Sequence, residues 1–156
     1  METLTLVQTG KRAPLPLLLI DTPGGTYWKQ WLNFIENGLV HGDYIRATDL
    51  SLFEMVVSVD EAIERINRFY RHYHSLRYIG EKLVLRLNTQ VELEKVMSLK
   101  AQFKDILTPQ GDIMLTGPLE EESDEIKIAH LPRIVVDFNR KDFGRLRNLL
   151  DAINAF

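Results

Sequence analysis

The first part of the chain alternates short apolar runs with longer segments in which apolar residues recur at helical spacing. Residues 15–21 (LPLLLID) are apolar almost throughout and are bounded by turn residues. This pattern is typical of a strand buried on both faces of a parallel sheet. Residues 27–40 predict an amphipathic helix. Its apolar face consists of Trp28, Trp31, Leu32, Ile35 and Leu39.

A second strand and helix follow with the same organisation. Residues 53–57 (FEMVV) predict a strand, and Ser58 with Glu61 forms a capping box that opens a helix. We expect this helix to continue to about residue 74, with an apolar stripe of Ile63, Ile66, Tyr70 and Tyr73. Two strand–helix units in series predict a right-handed parallel α/β layer.

The pattern changes after residue 75. Residues 82–87 (KLVLRL) alternate with period two, as a half-exposed strand does. A capping box at Thr89 and Glu92 predicts a helix that ends near residue 107.

The remaining segments complete a small α+β unit. Residues 112–116 and 133–138 predict strands, and the acidic residues 120–125 between them predict a surface loop. Asn139 is expected to cap a final helix. The fold class is therefore α/β: a parallel layer of about two βα units, followed by a β-α-β-β-α unit with antiparallel pairing.

The amino-acid composition excludes several classes of site and partner. The 156 residues include no cysteine, which excludes disulfides, thiolate metal sites and thiol nucleophiles, and the four histidines lack the spacing of a zinc site. A net charge of −3 gives no bulk attraction to nucleic acid or to an anionic membrane. The longest apolar run is too short to span a bilayer. We expect a cytoplasmic protein with no metal, no cofactor, and neither nucleic acid nor membrane as a partner.

The loop after the first strand is the first candidate site. Asp21, Thr22, Gly24, Gly25 and Tyr27 lie where a parallel strand gives way to a helix, and loops at this end of the strands are where α/β proteins bind ligands. Glycine allows a ligand to approach the backbone closely. The alternative is a tight Pro-Gly turn, with the Asp21 carboxylate capping its own backbone.

A basic and aromatic segment, RINRFYRHYHSLRY (65–78), is the second candidate. Arg71, His74 or Arg77 is a candidate ligand for a single phosphate near the expected end of the helix. The alternative is a solvated helix face, since the arginines follow helical spacing and the aromatic residues fall on the opposite stripe. No arrangement of side chains in the sequence forms a catalytic set.

Several segments resemble the LOG family, whose members are Rossmann-like proteins once labelled "possible lysine decarboxylase". They are VQTGK (7–11), LPLLLID (15–21), GTYWKQWL (25–32), GLVHGDYI (38–45) and VVSVDEAI (56–63). Later segments, among them FYRHYHSLRY and the long C-terminal run LPRIVVDFNRKDFGRLRNLLDAIN, resemble a longer bacterial branch. The resemblance implies a partial Rossmann-like domain in residues 1–78 and an α+β extension in residues 79–156.

The resemblance also implies a function. Characterised family members hydrolyse the N-glycosidic bond of nucleoside 5′-monophosphates without a redox cofactor. The family's catalytic motif, PGGxGTxxE, is absent from this sequence, and TPGGTYW lies one strand later than that motif would. The helix at residues 2–9 has an end at Gly10 but no capped beginning, so it is either a frayed first helix or the tail of a longer one. The resemblance implies the latter, because the family helix that carries the motif would run directly into it. We therefore expect a chain that begins part-way through a family protein, carries no catalytic residue and is inactive alone.

An alternative is a non-catalytic module that binds a nucleotide or only dimerises. Two parallel strands are half of a doubly wound sheet, and the edge they leave is apolar. Covering that edge requires a partner, so a homodimer is expected.

Overall fold

A computed structural model describes residues 2–156, and these form two compact units. The first unit comprises the described chain up to Arg68 together with Asp142–Asn148. The second comprises Phe69–Lys141 and Leu149–Phe156. The chain therefore returns to its first unit after most of the second has been built.

The first unit contains the predicted parallel layer. Helix α1 (Glu2–Gln8) leads into strand β1 (Leu17–Ile20) and helix α2 (Tyr27–Phe34), which continues as a π-helical segment over Ile35–Val40. A 3₁₀ segment (Ala47–Leu52) precedes strand β2 (Phe53–Val56), and helix α3 spans Val59–Phe69. Strands β1 and β2 pair in parallel, from Leu17 opposite Phe53 to Ile20 opposite Val56. Within the described residues this sheet has two strands, which confirms the predicted layer.

The start of the C-terminal helix α5 (Phe143–Asn154) completes the first unit. The Arg147 guanidinium is buried and donates to Glu54 on β2 at 2.7 Å. Ser51 donates to the Gly144 carbonyl at 2.8 Å. The first unit is therefore closed by residues far from it in sequence.

The second unit is an antiparallel sheet with helices. It contains β3 (Tyr73–Ile79), β4 (Lys82–Leu87), α4 (Leu93–Gln102), β5 (Ile113–Thr116) and β6 (Arg133–Val136). The strand order is β3-β4-β6-β5, and every neighbouring pair is antiparallel, as predicted. Its core includes buried residues of β4 and β6 and of the end of α5 from Leu149 onward.

The predicted helix to residue 74 is too long. Helix α3 ends at Phe69, and Tyr73–Ile79 forms strand β3, so the α+β unit has one more strand than predicted. The stripe is also misassigned: Ile63, Ile66 and Tyr70 are exposed, whereas Tyr73 is buried in the strand. Strand β3 forms because β4, whose residues 83–87 are all buried, needs a partner strand along each edge, and β6 pairs with only one of them.

Strand β4 is not half-exposed. Residues 83–87 are all buried, including Arg86. The acidic loop is likewise not wholly on the surface, since Glu122 within it is buried. The two errors are linked, because the buried Arg86 guanidinium donates to the buried Glu122 carboxylate.

Two predicted caps are also wrong. Helix α4 begins after Glu92 without a side-chain cap, so Thr89 and Glu92 form no capping box. Asp142, rather than Asn139, caps α5 and accepts from the Arg145 N–H at 2.8 Å. The Asn139 side chain instead closes a turn before the helix by accepting from the Lys141 N–H.

Candidate functional site

The carboxyl ends of β1 and β2 lie at the same edge of the parallel sheet and enclose a cavity of about 130 Å³. Asp21, Thr22, Gly24 and Gly25 line it from the β1–α2 loop. The other lining residues are Leu19, Pro23, Trp28, Lys29, Met55, Val56 and Val57. Four of the five predicted loop residues are thus brought together around one cavity, which is called the carboxyl-edge cavity below.

The loop itself is a tight turn. The Gly25 N–H donates to the Thr22 carbonyl at 2.8 Å, and Gly24 has φ of 75°. Proline at the second position and a glycine with positive φ at the third are the marks of a type II turn. The Pro-Gly-Gly run is therefore explained locally by turn geometry, without a bound phosphate.

Asp21 fixes the turn to the start of α2. Its carboxylate accepts from the Thr22 N–H at 2.8 Å and from the Tyr27 N–H at 2.9 Å. A Cβ on Gly25 would lie 2.3 Å from the Asp21 Cγ, so only glycine allows the carboxylate to fold over the loop. The positive end of the α2 dipole thus already holds an anion of the chain itself.

Aromatic side chains support the wall of the carboxyl-edge cavity. The Trp28 indole donates to the Ile20 carbonyl at 2.8 Å and contacts Trp31 edge-to-face. Trp31 in turn packs edge-to-face against Phe53 of β2, with 5.1 Å between the centres of the two rings. Tyr27 is 65% exposed and does not line the cavity. These contacts hold Trp28 in one orientation beside the strand ends.

The three predicted phosphate ligands belong to the second unit. Arg71 is exposed, and the His74 Nδ1 lies 2.9 Å from the Ser75 hydroxyl. Arg77 binds Asp124 at 2.9 Å and Glu125 at 3.3 Å. The hydrogen bond that the Arg77 guanidinium donates to the Asp124 carboxylate raises the pKa of Arg77 and lowers the pKa of Asp124. A phosphate at Arg77 would have to displace carboxylates already present.

A larger, open hollow of about 730 Å³ lies elsewhere in the first unit. Its residues, among them Gln8, Tyr44 and Asp49, lead into β1 and β2 rather than follow them. The Asp49 carboxylate is occupied by the Gln8 side chain at 2.7 Å and the Arg46 N–H at 3.0 Å. The buried Asp49 carboxylate of this hollow therefore already has hydrogen-bond partners within the fold. For this reason we place the candidate site at the carboxyl-edge cavity instead.

Sequence reasoning missed the residues that β2 and the first turn of α2 contribute, namely Met55, Val57 and Lys29. The ends of neighbouring parallel strands meet at one edge, so Met55 and Val57 could have been inferred once the two strands were recognised. Lys29 gave no signal, because one lysine early in a helix is common. In the described part of the chain no cluster of histidine and carboxylate side chains could hold a metal ion.

Comparison with known families gives a match in the first part of the chain. Residues 1–66 match the family described as "Possible lysine decarboxylase". This match supports the LOG family label for the matched residues, which are called the LOG-like segment below. No curated protein and no solved structure gave a match. The LOG-like segment ends just before Arg68, where the first unit gives way to the second.

The LOG-like segment contains α1, both parallel strands, the β1–α2 loop and most of α3. It lacks Asp142–Asn148, which the first unit also needs. Among residues 2–156, every helix is too short or too polar to cross a bilayer.

Proposed function

We propose that the LOG-like segment binds a nucleoside 5′-monophosphate at the carboxyl-edge cavity. The observation that carries this proposal is the position of the cavity, at the carboxyl ends of two adjacent parallel strands. Open α/β sheets bind their ligands outside this edge. The family match supports the ligand class, because the LOG family acts on nucleoside 5′-monophosphates.

The lining suits part of a nucleotide. Leu19, Trp28 and Met55 offer apolar contact to a planar base, and the Asp21 carboxylate offers oxygen acceptors to ribose hydroxyls. At about 130 Å³ the cavity holds one such group and leaves the rest of the ligand at its mouth. Complete small-molecule sites have several times this volume, roughly 300 Å³ or more.

The proposal includes no glycosidic cleavage by this chain alone. Each Asp21 oxygen already accepts a backbone N–H, so the carboxylate is engaged in the loop and suits a positioning role. The PGGxGTxxE motif of the family is also absent from the sequence. The chain therefore contributes binding surface to the family's reaction and does not supply its catalytic carboxylate.

Base release from a panel of nucleoside 5′-monophosphates tests this part of the proposal. The purified 156-residue protein is incubated with each nucleotide, and free base is measured by chromatography. We expect no release above the blank, together with measurable nucleotide binding by calorimetry. Release that is lost in Asp21→Asn would show that a catalytic carboxylate lies within these residues after all.

Homodimerisation is a second candidate function, favoured by apolar side chains that the first unit leaves in solvent. Phe34 on α2 and Val59 and Ile63 on α3 are each more than half exposed. Surfaces of this kind often mark protein–protein contacts. Gel filtration with light scattering should give the mass of a dimer, and a monomer at every concentration would refute this candidate.

A further inference from the structure

The carboxyl-edge cavity has an uneven distribution of charge. Among the described residues that line it, Asp21 is the acid and Lys29 is the base. Asp21 is held by two backbone N–H groups. Lys29 is exposed and forms no hydrogen bond or ion pair with the described residues. The lining thus carries an anion held by the backbone and a cation that is available to a ligand.

This distribution restricts where an anionic ligand can lie. In many α/β proteins a phosphate binds the N–H groups at a helix N-terminus, but here the Asp21 carboxylate takes the first of these from Tyr27. A phosphate placed there would lie against a like charge. The free charge that can hold a phosphate is therefore that of Lys29 rather than the N–H groups at the start of α2.

We propose that Lys29 is the phosphate ligand of the carboxyl-edge cavity. This inference rests on the proposed function, since it assigns one residue to the phosphate of the nucleotide proposed there. The base and ribose face Trp28 and Asp21 in the cavity, and the phosphate lies at its mouth. A lysine suits that place because its compact charge on a flexible four-carbon stem can follow a group that remains in solvent.

Paired titrations by calorimetry test the assignment. Four nucleoside 5′-monophosphates (AMP, GMP, CMP and UMP) are each compared with the corresponding nucleoside. Lys29→Met should weaken nucleotide binding about tenfold, as expected for the loss of one hydrogen bond to a charged group, and leave nucleoside binding unchanged. Lys29→Arg should retain most of the affinity. Lys11→Met removes an exposed lysine of the same unit that does not line the cavity, and should change neither affinity.

The outcomes separate this inference from the proposed function. If the wild-type chain binds none of the nucleotides, the proposed function fails and the assignment fails with it. If nucleotides bind wild type and Lys29→Met equally well, the ligand class stands and the assignment of Lys29 is overturned. Equal losses of nucleotide and nucleoside affinity would show that Lys29 shapes the cavity rather than binds phosphate, which also overturns it.

Discussion

Glu122 lies between two buried guanidinium groups in the second unit. Its carboxylate accepts from the Arg86 Nε at 2.8 Å, from the Arg133 Nε at 3.0 Å and from the Leu119 N–H at 3.2 Å. Arg86 also binds Glu125, and Arg133 donates to the Ile128 carbonyl at 3.0 Å. One acidic residue therefore neutralises part of two positive charges that water does not reach.

Replacing Glu122 with glutamine should be strongly destabilising. Removal of one partner from a buried ion pair leaves an uncompensated charge and costs about 3–5 kcal/mol. Denaturant unfolding of Glu122→Gln would measure the loss. Glu121→Gln is the matched control, because Glu121 is exposed and its replacement should change stability by less than about 0.5 kcal/mol. Equal effects of the two substitutions would contradict the role assigned to Glu122.

The same carboxylate predicts a dependence on pH. Burial alone would raise the pKa of Glu122, but hydrogen bonds from Arg133, the Leu119 N–H and Arg86 hold it below its ordinary value of 4.5. A carboxyl with a depressed folded pKa stabilises the fold above its unfolded pKa and loses that contribution as the pH falls through the folded pKa. The stability gap between wild type and Glu122→Gln should therefore be largest near neutral pH and shrink below about pH 4.5. A gap that is constant from pH 7 to pH 3 would refute this.

Gly25→Ala tests the closure of the β1–α2 loop. The added Cβ would displace the Asp21 carboxylate and leave the Thr22 and Tyr27 N–H groups without their acceptor, a loss of roughly 1–3 kcal/mol. Thermal and denaturant unfolding would measure this loss of stability. Gly117→Ala is the control, because a Cβ there meets nothing within 4 Å. If both variants are as stable as wild type, Asp21 does not depend on Gly25.

At the scale of elements, the start of α5 is fixed by close backbone contact with the segment before β2. A Cβ on Gly144 would lie 2.2 Å from the Thr48 carbonyl oxygen. The Thr48 hydroxyl also donates to Asp142 at 3.0 Å. The helix thus approaches this segment as closely as a glycine permits.

The Gly144→Ala substitution has two opposing effects on stability, a gain in helix propensity and a loss in packing. Propensity alone favours alanine in a helix by about 1 kcal/mol, whereas forcing apart two backbone segments costs about 1–3 kcal/mol. We expect net destabilisation in denaturant unfolding. Gly38→Ala, where the nearest atom to the new Cβ is a Phe34 ring carbon at 3.4 Å, should be neutral or stabilising. A stabilised Gly144→Ala variant would show that the contact can relax.

At the scale of the whole molecule, the two units differ in how the chain builds them. All residues of the second unit lie within one continuous stretch, 69–156, whereas the first unit needs Asp142–Asn148 from far along the chain. The Arg147–Glu54 ion pair and the Ser51–Gly144 hydrogen bond are lost when that segment is removed. The LOG-like segment is therefore a sequence unit but not a complete folding unit.

Fragments should reproduce this difference. We expect residues 69–156 alone to unfold cooperatively and residues 1–68 alone to show no cooperative transition, when both are followed by circular dichroism during thermal unfolding. A cooperative transition in residues 1–68 would show that the first unit does not require α5.

The sequence predicted elements well where one periodicity was unambiguous. Residues 15–21 and 53–57 contain the observed strands, and α2 begins at Tyr27 as expected. The segment RFYRHYHS fits both a helical stripe and a strand, and a bulge between Tyr73 and Ser75 interrupts the alternation of β3. The end of α3 was therefore misplaced, since pairing with β4 rather than local periodicity determines it.

The site was predicted in part, for a related reason. The β1–α2 loop follows from its position after a parallel strand, whereas Met55 becomes a neighbour of that loop only when β1 and β2 are paired. The burial of Glu122 likewise depends on two arginines from β4 and β6, more than ten positions away on either side in sequence. Such contacts between distant segments are not encoded in any local window.

The contribution of residues 142–148 to the first unit also determines when that unit can fold during protein synthesis. The ribosome delivers the LOG-like segment before residues 142–148, and translated domains usually fold as they emerge. Here the parallel layer cannot close until Gly144 and Arg147 have left the ribosome. The parallel layer is thus synthesised well before the segment that completes it, and until then its unfinished surface is open to chaperones and to neighbouring nascent chains.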